Sequence, residues 1–177
     1  MRAEAPTTTA SAECLYTAVC GERILLWMPS TPSQSPPYVL IIGYGMPGRA
    51  VAELARDRGV ELTVIELNES TVHRCEGGGP RMIAGDARNP EVLQVAEIER
   101  ATLIVVALPD EKVGLAVTRE VRKHNTTATL VTRCHYVSTG FEAHKAGANQ
   151  VVISEQVVAE ELRGIVSPFI STEKPKA

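Results

Sequence analysis

A chain of 177 residues with 44% hydrophobic and 22% charged side chains has the composition of an ordinary globular protein, long enough for one core and a modest extension. Its net charge of −3 argues against duplex DNA or an anionic membrane surface as a direct partner, and 4% aromatic residues argue against base-stacking on single strands. Four cysteines, Cys14, Cys20, Cys75 and Cys134, lack C-x-x-C pairing and metal spacing to the histidines, so they read as reduced thiols of a cytosolic protein and not as a zinc site.

In chain order, residues 1–13 are Ala/Thr-rich and are expected to be disordered. CLYTAVCGERILLW, residues 14–27, fits two short strands around a Gly21-Glu22 turn. The apolar stretch ILLWM that follows Arg23 falls far short of the roughly 18 to 20 residues that span a bilayer, and Glu4 is out of place in a signal sequence. PSTPSQSPP, residues 29–37, can sustain neither helix nor sheet ladder and reads as a semi-extended linker. The expected organisation is thus an extension and linker over 1–37, one folded domain over 38–166, and a flexible tail over 167–177.

Within that domain apolar runs alternate with helix-period segments, the pattern of successive βα units and hence of a parallel sheet covered on both faces. The expected strands are VLII (39–42), LTVI (62–65), RMIA (81–84), TLIVVAL (102–108), ATLVT (128–132) and NQVVI (149–153). Helix punctuation supports them: Gly59 after the first helix, Asn89-Pro90 and Pro109-Asp110 opening later ones, Thr139-x-x-Glu142 as a capping box, and Gly147 as a C-terminal cap. A last helix from Ser154 to about Arg163 or Ile165 carries an apolar stripe, Val157, Val158, Leu162, Ile165 and Val166. That stripe suits either packing on its own sheet or a subunit interface.

The motif with chemical content is VLIIGYGMPGRAVAEL, residues 39–54. Gly43, Gly45 and Gly48 form G-x-G-x-x-G between a strand and a helix. The first glycine permits a tight turn, the second the close approach of a pyrophosphate, and the third close packing of the helix. Phosphates then meet unpaired N–H groups at the positive end of the helix. Glu66 closes the second strand 23 positions after Gly43, where a carboxylate accepts hydrogen bonds from a ribose diol. A carboxylate there repels a 2′-phosphate, which favours NAD(H) or an adenosine nucleotide over NADP(H). Pro47, lacking an N–H, removes one phosphate donor from the loop and weakens dinucleotide binding by about 1 to 2 kcal/mol. The fold class is α/β, a Rossmann-like doubly wound sheet of six parallel strands with helices on both faces.

IAGDARNPEVLQVAEIERATLIVVALPD (83–110) and TRCHYVSTGFEAHKAGANQVVISEQVVAEEL (132–162) extend the pattern. From about Tyr38 to Leu162 the chain resembles the N-terminal lobe of the regulator-of-potassium-conductance (RCK) domain, also called TrkA-N, in its Kef-type antiporter version. The resemblance implies a nucleotide sensor that binds NAD(H), AMP or ATP, pairs with a second copy through its last helix (154–165), and gates cation flux through a membrane transporter or channel. It implies a cytoplasmic location, peripheral to the inner membrane through that partner. By position, Gly43, Tyr44, Gly45, Met46, Pro47 and Gly48 match the phosphate loop, and Glu66 with Leu67 the ribose end. Asp86 and Ala87 match the adenine end, Ala107 and Leu108 the crevice after the fourth strand, and Arg133 a basic residue facing the phosphates. Three positions depart from the family pattern: Pro47, Arg88 in place of Ser or Thr, and Glu97 in place of a helix-ending Gly.

A nicotinamide dehydrogenase needs a substrate domain or long loops and a positioned acid or base, and this chain's length is taken up by the sheet. The leading expectation is a regulatory domain and not an enzyme. A small NAD-dependent oxidoreductase and a scaffold subunit with an empty site are the alternatives.

Overall fold

The computed structural model of the chain describes residues 37–75 and 77–170. The proposed hairpin, nearly all of the linker and the last seven residues lie outside them. Among the described residues there are six strands: β1 (Tyr38–Ile42), β2 (Glu61–Glu66), β3 (Arg81–Ala84), β4 (Leu103–Val106), β5 (Thr129–Cys134) and β6 (Gln150–Ile153). The helices are α1 (Met46–Asp57), α2 (Glu69–Arg74), α3 (Pro90–Val95), α4 (Glu111–His124), α5 (Val137–Lys145) and α6 (Ser154–Ile170).

All neighbouring strands run parallel, in the order β3-β2-β1-β4-β5-β6. This is the doubly wound order, in which successive strands build outward from β1 and then restart beside it at β4. The β1/β4 boundary is therefore the topological switch point, where the chain leaves the C-terminal ends of two adjacent strands in opposite directions and opens a crevice.

Period-two alternation divides the core. Tyr38, Leu40 and Ile42 pack with Leu93, Ile98, Ile104 and Val117 on one face, whereas Val39 and Ile41 pack with Ala52 and Val64 on the other. Strands buried on both faces are near-continuously apolar, which is why these runs read so clearly in the sequence. Leu40 is fully buried, and Leu40→Ala is expected to cost about 2 to 5 kcal/mol.

The expected caps are mostly found. Asn89 Oδ1 accepts the Glu91 N–H and Asp110 Oδ1 the Val113 N–H, while Gly59 and Gly147 follow α1 and α5 with φ of 64° and 105°. The Thr139–Glu142 capping box is not. Helix α5 begins earlier, at Val137 after Tyr136, and no side chain of its own caps it. Glu111 of α4 does so instead, its Oε1 accepting the N–H of His135 at 2.6 Å and of Tyr136 at 3.1 Å. Desolvation alone would raise the Glu111 carboxyl, but the N–H groups of Tyr136 and His135 and the Thr139 hydroxyl together hold it below its usual range.

Helix α6 also differs from expectation. It runs on to Ile170, through residues expected in the tail, and none of its residues is buried. Its apolar stripe therefore does not pack on its own sheet. Glu97, at the position of the family's helix-ending glycine, takes the left-handed conformation (φ 52°). Its carboxylate bonds both Arg81 and Arg100.

Candidate nucleotide-binding site

After Ile42 the chain turns through Gly43, whose φ of 95° suits glycine. A Cβ on Gly48 would lie 2.0 Å from the Gly43 oxygen, so the close packing of α1 on the loop requires glycine there too. Gly45 is different. Its backbone is ordinary (φ −70°, ψ −172°), and an added Cβ would come no nearer than 3.9 Å to any other group. Nothing within the chain demands a glycine at that position.

Gly45 is the N-cap of α1, with Met46 and Pro47 as the first two helical residues. Across from it, Glu66 is aimed at the loop: Oε2 accepts the Tyr44 N–H at 2.7 Å and Oε1 the Asn68 N–H at 2.9 Å. The acid thus ties the β1–α1 turn to the β2–α2 turn, with lone pairs remaining on both oxygens. Arg49 donates from Nε to the Tyr44 carbonyl at 3.1 Å, with its guanidinium 5.4 Å from the Tyr44 ring centre.

These groups surround a cavity of about 470 Å³ lined by Gly43, Tyr44, Gly45, Glu66, Leu67, Ala107 and Leu108 among the expected residues. A second cavity, of about 90 Å³, shares Leu67, Leu108 and Val113 with it and adds Asp86 and Ala87. The two together form a crevice over the β1/β4 switch point. Ala107 and Leu108 contribute because β4 ends at Val106, shorter than the expected 102–108, and the chain then peels away from the sheet. At the far end Arg88 lies on Asp86 and holds its carboxyl below the usual range by hydrogen bonding.

Other expected residues lie apart. Arg133 donates from Nε to Ser154 Oγ at 2.9 Å and lines neither cavity. Met46 is 86% exposed and borders a separate surface hollow beside Gly45. Arg49, Asn68, Thr71, Asp110 and Val113 also line the larger cavity, though sequence reasoning does not single them out. Two carry a signal: Arg49 follows the third glycine, and Asn68 is the capping type that opens a helix after the strand-end acid.

Residues 39–154 match the TrkA-N domain. The chain is 28% identical over 125 residues to YbaL of Escherichia coli strain K12, covering 71% of this chain and 22% of YbaL. The crystal structure of the TrkA-N domain of the inner membrane protein YbaL superposes with a TM-score of 0.70 at 26% identity, over 76% of this chain and 99% of that domain. Potassium channel protein 1 of Methanocaldococcus jannaschii is 26% identical over 136 residues, 75% of this chain and 41% of the channel. The structure of GsuK bound to ADP superposes with a TM-score of 0.67 at 27% identity, over 75% of this chain and 34% of GsuK. The chain thus spans about a fifth of YbaL and two fifths of the channel protein.

Proposed function

The chain belongs to the TrkA-N domain family, and on that footing we propose that it is a nucleotide-sensing regulatory domain controlling potassium or monovalent-cation transport by a membrane channel or antiporter. The ligand in this reading is NAD(H) or an adenine mononucleotide, AMP or ATP. One observation carries it: Gly45, which the fold itself does not need, faces the Glu66 carboxylate across the cavity at the switch point. A ligand phosphate approaches the main chain there, at the amino end of a twelve-residue helix, and the ribose diol meets Glu66. That a relative, GsuK, is described as bound to ADP agrees with this.

The residues then have these roles. Gly43, Tyr44, Gly45 and Gly48 shape the phosphate loop, with Met46 and Pro47 opening the helix behind it. Glu66 and Leu67 hold the ribose, Ala107 and Leu108 wall the crevice, and Asp86 and Ala87 border the base. No catalytic step is assigned: the domain reports occupancy. Occupancy alters the relation between two copies joined by α6, because a ligand shifts an equilibrium only through its different affinity for two arrangements. The partner is a membrane transporter on whose cytoplasmic side the domain works, in keeping with the inner membrane protein and the channel among its relatives. Among the described residues, no helix is long and apolar enough to cross a membrane.

Equilibrium titration of the full chain with NADH, AMP and ATP tests the reading. Saturable binding of one of them, weakened by Glu66→Ala, is expected. No binding of any would overturn it.

A further inference from the structure

The smaller cavity, at the base end of the crevice, has a lining peculiar in its charge. The strand ends Ile42 and Ile65 are almost wholly buried and give it apolar walls. Asp86 and Arg88 are the two polar side chains in its lining. A ribose held at Glu66 directs its base into this slot, because the two cavities adjoin along Leu67, Leu108 and Val113. The polar side chains that the base edge meets are therefore these two.

They act as one unit. Arg88 Nε lies 3.0 Å from each Asp86 carboxylate oxygen, Nη2 lies 2.6 Å from Oδ2, and the Arg88 main-chain N–H donates to Oδ1 at 2.9 Å. A carboxylate has about four acceptor sites, so a single neighbour takes up nearly all of them. A guanidinium has five N–H donors and no acceptor. With Nε–H and one Nη2 hydrogen directed at Asp86, the Nη1 group finds no partner among the described residues. Asp110, at the amino end of α4, also favours the charged form of Arg88. The pair presents donors, not acceptors, to whatever enters.

Purines differ at this edge. Adenine offers an amine donor at position 6 beside the N7 acceptor, whereas a 6-oxopurine offers two adjacent acceptors, O6 and N7, which an arginine fork engages bidentately. A free carboxylate at position 86 would accept from the adenine amine; a carboxylate already clamped by Arg88 does not. We propose that Arg88, locked on Asp86, makes the base end of this crevice a reader of 6-oxopurines, so that an inosine or guanosine nucleotide is preferred to its adenosine counterpart. This rests on the nucleotide site of the reading above and moves its preferred base from adenine to a 6-oxopurine.

AMP and IMP share phosphate, ribose and N7, and differ at position 6 and in the N1 proton that accompanies the oxo group. Titration of the full chain with each, in wild type and in Arg88→Ser, is the test. Arg88 is more than half exposed and bonds only Asp86, so the variant keeps its fold, which a thermal melt verifies. IMP is expected to bind wild type about fivefold more tightly than AMP, a modest factor because the pair is solvent-facing. Arg88→Ser frees Asp86, and the preference is expected to reverse toward AMP. A wild-type ratio favouring AMP, or a ratio that Arg88→Ser leaves unmoved, overturns the proposal while leaving the nucleotide site standing. Absence of binding by AMP, IMP and NADH alike removes the site itself, and the base preference with it.

Discussion

The main-chain N–H of Tyr44 donates to Oε2 of Glu66 at 2.7 Å while Oε1 accepts from Asn68. One side chain, 22 positions downstream, thereby fixes the orientation of the glycine loop. Two donors demand two acceptors, and only a carboxylate supplies them in this span. In Glu66→Gln the carboxamide NH₂ must face one of the two N–H groups. The clasp is then half lost, and so is the charge that strengthens a bond from a ribose hydroxyl. Nucleotide affinity is expected to fall about 10- to 100-fold, with a stability loss of about 1 kcal/mol. Titration with AMP alongside a denaturant melt checks both; unchanged affinity would remove Glu66 from the site.

Gly45 and Gly48 separate binding from folding. A Cβ on Gly48 meets the Gly43 oxygen at 2.0 Å, a backbone clash that only a shift of α1 or the loop can relieve, so Gly48→Ala is expected to destabilise by more than about 2 kcal/mol. Gly45→Ala meets nothing nearer than 3.9 Å and leaves the melting temperature where it was. Its methyl nevertheless occupies the approach to the loop amides, and affinity is expected to drop about tenfold or more. If Gly45→Ala binds as wild type does, the ligand does not approach there.

The fold is legible in the sequence because its strands are buried on both faces and bounded by glycine or proline. RMIA (81–84) coincides with β3 to the residue. TLIVVAL reads as seven residues of strand, yet only Leu103–Val106 are in the sheet. Ala107 and Leu108 are as apolar as a strand interior because they wall a crevice, and apolarity does not distinguish the two environments. The glycine loop and Glu66 are legible from spacing. The Arg88 clamp is not, since it depends on a turn that brings side chain and main chain of one residue onto the second residue before it. Nor is the capping of α5 by Glu111, a bond across 24 residues that a local T-x-x-E pattern conceals. Arg133, matched to the phosphates by position, instead engages Ser154 at the start of α6.

Pro47 is the second residue of α1, where a helix leaves its N–H groups without intrahelical partners. Any other residue there offers one more donor toward the loop. Pro47→Val is expected to gain up to about 1 to 2 kcal/mol in affinity for NADH or AMP, with little change in stability. Equal affinities in the two proteins would show that the position-47 amide does not face a phosphate.

Glu111 links stability to acidity. Its carboxyl titrates below the ordinary 4.5 in the folded chain, because donors at the start of α5 need the ionised form. A group with a lowered folded value contributes stability that is complete above the unfolded value and declines as the pH falls through the folded one. The α4–α5 contact is thus expected to weaken progressively below pH 4.5. Glu111→Gln should melt lower than wild type at pH 7 and lose part of the decline seen on acidification. Parallel pH–stability curves for the two proteins would contradict this.

Helix α6 exposes Val158, Leu162 and Ile165, each more than half accessible, along one stripe, and Phe169 prolongs it at 84%. Seventeen residues including Gly164 and Pro168 make a poor isolated helix, and an apolar stripe of this length is costly to leave in water. A second copy of the same helix is the self-complementary partner that a two-fold interface requires. The full chain is therefore expected to sediment as a dimer at micromolar concentration, with helicity that rises with concentration. Leu162→Asp sets two carboxylates against each other across the axis. It should give a monomer with reduced helicity and an intact melting transition for the sheet, whose core contains no residue of α6. A wild-type chain that stays monomeric, or a Leu162→Asp dimer of unchanged affinity, would exclude this helix as the joint between copies.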